Sequence, residues 1–201
     1  IRKDAEVIGL IGLAHSSSHF YQLILAPLFP WLKLEFGFSY AELGFLMTIF
    51  FVISTLTQAV AGFWVDHSGP LKVLLFGLVS LCVSAIILSV SNGYLVLLLG
   101  SALAGLGNGV FHPSDYTLIN RRVSSARIPH AYSMHGISGA LGWAAAPAFL
   151  VSLTSLFGWR SALLGAALMV ALIVGLLLVR RRTLLGSIED QAQEKLNKKQ
   201  Q

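Results

Sequence analysis

The stretch AHSSSHFYQ, residues 14–22, sets two histidines four residues apart, with three serines between them and a glutamine beyond, inside an apolar run covering residues 7–32. A run of that length crosses a hydrocarbon layer as a helix, rising about 1.5 Å per residue. His15, Ser18, His19 and Gln22 recur at helical spacing and so share one face. A polar stripe of that kind cannot point at lipid, so it has to line an interior that other helices build.

Five further runs supply those helices: 40–65, 71–90, 94–118, 129–156 and 161–179, joined by short connectors. With 55% hydrophobic and 11% charged residues, and apolar runs of span length in place of amphipathic stripes, the chain reads as all-α: a polytopic membrane bundle of six transmembrane helices. The first run is not a cleavable signal, because its apolar part is too long, lacks an obvious cleavage site and is followed by five more spans. The chain opens on Ile1 rather than Met, so its start is expected to be trimmed.

Basic residues give the orientation. Arg2, Lys3, Lys72, Arg121, Arg122, Arg127, Arg180, Arg181, Arg182, Lys195, Lys198 and Lys199 fall on one side of the spans, and only Lys33 and Arg160 on the other. Both termini are therefore expected in the cytoplasm; the membrane is expected to be a bacterial inner one. The net charge of +5 follows from this asymmetry and from attraction to anionic lipid, and implies no nucleic-acid partner. Phe29, Trp31, Phe36, Phe38 and Tyr40, with Phe157 and Trp159, read as interfacial anchors at the outer turns. Cys82, the single cysteine, excludes a disulfide within the chain.

The spans differ chemically. The sixth carries almost no polarity and the third only serines, which can bond back to their own helix, so those two are expected to face lipid. The others hold what hydrocarbon would reject: His15, His19 and Gln22, then Gln58, then Asn108, His112 and Asp115, then His135. His15 lies nine residues past Glu6, His112 nine before Arg121 and His135 eight past Arg127. All three are thus roughly 12–14 Å in from the cytoplasmic boundary, with His19 about 6 Å deeper and Asp115 one turn shallower. Glycines at 105, 107 and 109, and at 136, 139 and 142, permit close backbone approach in the fourth and fifth spans. Residues 1–182 form the membrane domain, and the polar stretch 183–201 is a cytoplasmic linker or tail.

Three chemistries fit such a layer. A metal centre would use His15 with His19, or His130 with His135, but the latter two face different sides of a helix and carboxylate ligands are scarce. A serine protease on GISG, residues 136–139, would need a base on a later helix, and no histidine follows His135. A water-filled transport pathway, in which buried ionisable groups bind a polar substrate or carry a proton, explains four polar helices and two bland ones with no further assumption. Protonation of His112 or Asp115, one turn apart on one face, is the expected coupling step.

The connector GFWVDHSGPLK, residues 62–72, resembles the loop signature of the major facilitator superfamily: Gly62, then Asp66 four residues on, then Gly69, with Lys72 beyond. His67 and Pro70 stand where basic residues are usual. The first helix, with His15, Tyr21, Pro27 and Pro30, looks like that of the fosmidomycin-resistance-like branch, although His19 occupies a position where the branch tends to have aspartate. GLGNGVFHP, residues 105–113, is similar to that branch's fourth helix, and FGWRSALL, residues 157–164, to the superfamily's turn into its sixth.

The resemblance implies half of a major facilitator fold: two three-helix inverted repeats, with helices one, two, four and five around the pathway. It implies a secondary active transporter, not an enzyme, with no cofactor, moving a small polar or anionic solute or drug by alternating access with proton coupling. It implies a cytoplasmic gate at Gly62, Asp66, Gly69 and Lys72. It also implies a missing partner, since the chain ends at Gln201 where the linker to a second six-helix half would lie. The cavity-lining set is His15, His19, Gln22, Asn108, His112, Asp115 and His135, with no metal assigned; a membrane histidine metal-site enzyme is the competing reading.

Overall fold

The structure is a computed structural model that describes residues 2–186. The expected linker or tail at 183–201 thus lies outside the described residues from 187 onward. Among the described residues every regular element is helical: α1 (Arg2–Gln22), α2 (Phe29–Phe36), α3 (Tyr40–Ser68), α4 (Pro70–Ser89), α5 (Tyr94–Asn108), α6 (Phe111–Arg122), α7 (Ile128–Phe157), α8 (Trp159–Val179) and α9 (Arg181–Leu185).

Five stretches are long and apolar enough to cross a membrane: 40–68, 70–89, 94–122, 125–157 and 159–179. The first expected span falls short of that measure, because α1 begins with Arg2, Lys3, Asp4 and Glu6 and carries the polar 14–22 stretch. Its place in the bundle comes from cover instead: it packs against α7 and α6 and buries Val7, Leu10, Ile11, Ala14, Phe20 and Tyr21. Two spans are interrupted. Pro27 and Pro30, which have no N–H to donate, coincide with a 3-10 turn at Ala26–Leu28 that separates α1 from α2. Pro113 likewise leaves the Gly109 carbonyl without its helical donor, and the fourth span breaks there into α5 and α6.

The third span faces outward along one stripe only. More than half of the α4 window is buried (56%), against 28% for α3 and 22% for 125–157. Gly77, Ser80 and Ser84 turn inward, letting α4 lie against α5, α6 and α8, while Phe76, Val79, Val83, Ile86 and Val90 form an exposed stripe on the other side. The Cys82 thiol donates to the Ala167 carbonyl at 3.4 Å, joining α4 to α8. Hydropathy alone cannot separate a helix bathed in lipid from one sandwiched by equally apolar neighbours.

The two halves of the bundle use the same devices. α3 packs on α5, where Gly105 lies directly on the Phe50 carbonyl; α1 packs on α7, where Gly142 lies directly on the Ser16 carbonyl. A Cβ at either glycine would overlap backbone, so the close approach requires its absence. The turns match too. Gly69 links α3 to α4 at φ 87°, ψ 145°, and Gly158 links α7 to α8 at φ 84°, ψ 158°, each in a left-handed conformation that costs glycine nothing. These paired devices are what two inverted three-helix repeats produce.

Polar clamps hold the two ends. At one end, Trp159 Nε1 and Arg160 donate to Glu35 at 2.5 and 2.6 Å, and Arg160 also reaches the Ser91 carbonyl at 2.9 Å. At the other, Arg180 pairs with Glu6 at 2.8 Å, and the Ser124 hydroxyl donates to Asp4 at 2.6 Å. Partial burial pulls the Glu35 carboxyl up, but the Trp159 and Arg160 hydrogen bonds and the Arg160 charge outweigh it and hold it below the usual carboxylate range. A lowered folded-state value contributes stability above the ordinary titration range and loses it as the pH falls through that range. Glu35→Gln is therefore expected to lower the thermal midpoint slightly at pH 7, by an amount that persists in mildly acidic buffer and vanishes only below the ordinary carboxylate range. The change is small, about 1 kcal/mol at most, because both partners are more than a third exposed. A pH-independent gap between the two proteins would show that the carboxylate charge is not what stabilises this end.

Candidate functional site

Polar residues of three different spans meet at Asp115, which the second turn of α6 carries into the bundle with no exposed surface. Its Oδ2 accepts from His15 Nδ1 at 3.0 Å and from His135 Nε2 at 3.1 Å. When Asp115 is ionised the carboxylate only accepts, and each imidazole then donates from the nitrogen that faces it. The His15 and His135 rings stack with centroids 3.5 Å apart. His15 is 2% and His135 5% exposed, so the triad is closed to solvent.

A second buried group lies beside it. Asn108, at the end of α5, accepts from the Ser54 hydroxyl at 2.8 Å and donates to the Ser18 carbonyl at 2.9 Å, so α5 is tied to α3 and α1 at once. These contacts satisfy both ends of a buried amide, which otherwise costs roughly 1–3 kcal/mol.

In front of these groups is a layer with partial access. His112 is half-buried, and its Nδ1 lies 3.0 Å from Gln58 Oε1 of α3. His19 sits with its ring 4.6 Å from His15 and 4.7 Å from Trp143. Gln22 accepts from Trp143 Nε1 at 2.8 Å. Tyr116 stacks edgewise on Tyr132 at 5.2 Å, and the Tyr132 hydroxyl donates to Asn120 at 3.1 Å. The result is a continuous polar and aromatic wall on α1, α3, α6 and α7, backed by the buried Asp115 triad.

The seven residues singled out by sequence therefore form one assembly, though not one layer of equal depth: Asp115, His15, His135 and Asn108 lie behind, and His112, His19 and Gln22 face the opening. His130 lies apart from them and is exposed. Trp143, Tyr116 and Ser54 were missed. Trp143 and Tyr116 were within reach, because Trp143 follows His135 and Gly139 at helical spacing and Tyr116 follows His112 by four; nothing in the sequence pairs Ser54 with Asn108.

The connector between α3 and α4 has Asp66 and Lys72 exposed, and Asp66 makes no hydrogen bond or ion pair with any described residue. Gly62 is exposed too, and Gly69 makes the one-residue turn.

Comparison with known proteins bears on the fold and the family. The chain is similar to the fosmidomycin resistance protein of Escherichia coli (strain K12), 26% identical over 157 residues, covering 78% of the chain and 38% of that protein. It is 32% identical over 129 residues to probable anion transporter 4, chloroplastic, of Oryza sativa subsp. japonica, covering 63% of the chain and 22% of that protein. Among solved structures, the inward-open xylose transporter XylE of E. coli superposes with a TM-score of 0.77 at 13% identity, over 88% of the chain and 48% of that structure. Tetrameric PepTSo2 superposes with 0.75 at 16%, over 94% and 44%. The chain thus spans less than half the length of each of these. The family model of the Major Facilitator Superfamily matches residues 11–200, nearly the whole of what the helices and their converging polar groups occupy, and the chain belongs to that superfamily as an integral membrane protein.

Proposed function

We propose that this chain is the pathway-bearing N-terminal half of a secondary active transporter that moves a small polar or anionic solute by alternating access, with protons as the coupling ion. The observation that carries the reading is a buried carboxylate shared by two imidazoles behind a half-open polar wall. Buried ionisable groups within spans are costly and mark substrate or ion pathways. The second six-helix half would supply the facing wall, and the little-covered helices α3 and α7 suit that contact. The relatives, a fosmidomycin resistance protein and a probable anion transporter, favour an anionic cargo and leave export of a drug open to test. Family membership argues for transport over enzymatic turnover. The distribution of basic residues supports both termini in the cytoplasm, and the bacterial relative favours a bacterial inner membrane.

The test uses the full-length protein in sealed vesicles, with fosmidomycin and inorganic phosphate as anionic probes and an imposed pH gradient. Saturable movement of either probe, matched by proton movement and abolished by a protonophore, is expected. Probe movement that ignores the pH gradient would overturn the coupling. Vesicles that move neither probe faster than protein-free ones would overturn the anionic cargo.

The connector 62–72 is proposed as the cytoplasmic gate, with the unpaired Asp66 carboxylate meeting a cation of the other half. Asp66→Asn is expected to raise labelling of a cysteine placed in the inner cavity several-fold while binding of the probe persists. Unchanged labelling would remove the gate role.

A further inference from the structure

We propose that His15, His19 and His112 together bind one divalent transition-metal ion. The proposal rests on reading the half-open layer as a cavity wall, and it adds a ligand class to that cavity.

One nitrogen from each of the three rings lies within 4.8 Å of the others. Bonds of about 2.0–2.1 Å in a tetrahedral shell place donors roughly 3.3 Å apart, so modest closure of the side chains would complete the site. Two of the three rings are already oriented as ligands are. His15 turns Nδ1 to the Asp115 carboxylate and His112 turns Nδ1 to the Gln58 amide oxygen, each at 3.0 Å. Metal-binding imidazoles almost always hold a carboxylate or carbonyl on the nitrogen that is not coordinating. Their Nε2 atoms are left without a hydrogen-bond partner among the described residues.

The third ring points the same way for a different reason. Both nitrogens of His19 are shut off from solvent with no partner, as is Asp115 Oδ1. A buried imidazole with neither nitrogen bonded carries the full cost of desolvation, which an ion would relieve. Asp115, one hydrogen bond behind His15, offsets part of the ion's charge. His15, Asp115 and His135 also form a compact triad, but there His15 Nδ1 and His135 Nε2 are already engaged by Asp115 Oδ2, so the triad serves as support. The His130 and His135 pair is not involved.

Three neutral imidazoles with an open fourth position suit zinc, cobalt, nickel or copper(II), whereas magnesium and calcium require oxygen ligands. His112, which is only partly buried, puts the open position on its side of the site.

Cobalt(II) is the probe, because its visible band intensifies when it becomes tetrahedral. Full-length protein freed of any histidine tag is titrated in detergent at neutral pH. One equivalent per chain, with a saturable band that zinc displaces, is expected. His19→Ala and His112→Ala should each weaken binding at least tenfold, Asp115→Asn by about tenfold through loss of its support of His15, and the exposed His130→Ala not at all. Thermal unfolding of each variant establishes that it is folded, and His19→Gln stands in if a truncation is not. A folded wild type with no saturable band, or a band that survives both His19→Ala and His112→Ala, overturns the site. Transport is scored separately: movement of the anionic probes without cobalt binding removes the metal site alone, and cobalt binding without any transport retains the site and removes the transporter reading.

Discussion

Replacing Asp115 with alanine is expected to destabilise the protein by about 3–5 kcal/mol, the usual cost of removing one partner from a buried ionic pair. His15 and His135 would both lose their acceptor in a space that has no water-facing surface. Asparagine separates the two roles of this side chain. It keeps the shape and one oxygen that can accept from the imidazoles, but it removes the charge. Asp115→Asn is thus expected to fold nearly as well as the parent, within about 1–2 kcal/mol, and to move the anionic probe without response to a pH gradient. The measurements are a thermal unfolding midpoint in detergent and gradient-driven transport in vesicles. Equal losses of stability in both variants would mean that charge, not hydrogen bonding, holds the triad. Undiminished gradient-driven transport by the asparagine variant would remove Asp115 from the coupling route.

The second large effect is expected at Gly142→Val. Overpacking a well-filled interface costs about 1–3 kcal/mol where a side chain can yield. Here the atom in the way is the Ser16 backbone carbonyl, and the added group would also crowd His19. Backbone cannot rotate aside, so α1 and α7 must separate, and the stack of His15 on His135 opens with them. Loss of monodisperse protein in detergent, or a midpoint lowered by an amount at the top of that range, is the expected outcome. Gly136→Ala on the same helix is the control, because a Cβ there meets no described atom within 4 Å. It should be neutral or mildly stabilising, since alanine favours helix by about 1 kcal/mol over glycine. Equal behaviour of the two variants would mean that α1 and α7 are not in the contact described.

Much of this was legible in the sequence because lipid makes polarity informative. A histidine in a soluble core says little, whereas His15 and Gln22 in a span had to find an interior, and counting from the charged boundaries was enough to predict that His15, His112 and His135 meet. The depth order of the layer was not legible. Asp115 was expected one turn shallower than the histidines, and counting did not show that its carboxylate would reach back to bridge His15 and His135. The interruption at 109–110 had its cause in view at Pro113 but was read through as a single span. The burial of α4 was hidden for another reason: hydropathy reports what a side chain tolerates, and an apolar neighbour and a lipid tail are tolerated alike.

The matched turns at Gly69 and Gly158 have a mechanical consequence. A single residue between two long helices leaves no slack, so a displacement of α3 at its Asp66 end is either taken up at the Gly69 joint or carried into α4, and likewise for α7, Gly158 and α8. The longer connectors at 23–28 and 123–127 give α1 and α7 more chain over which to adjust.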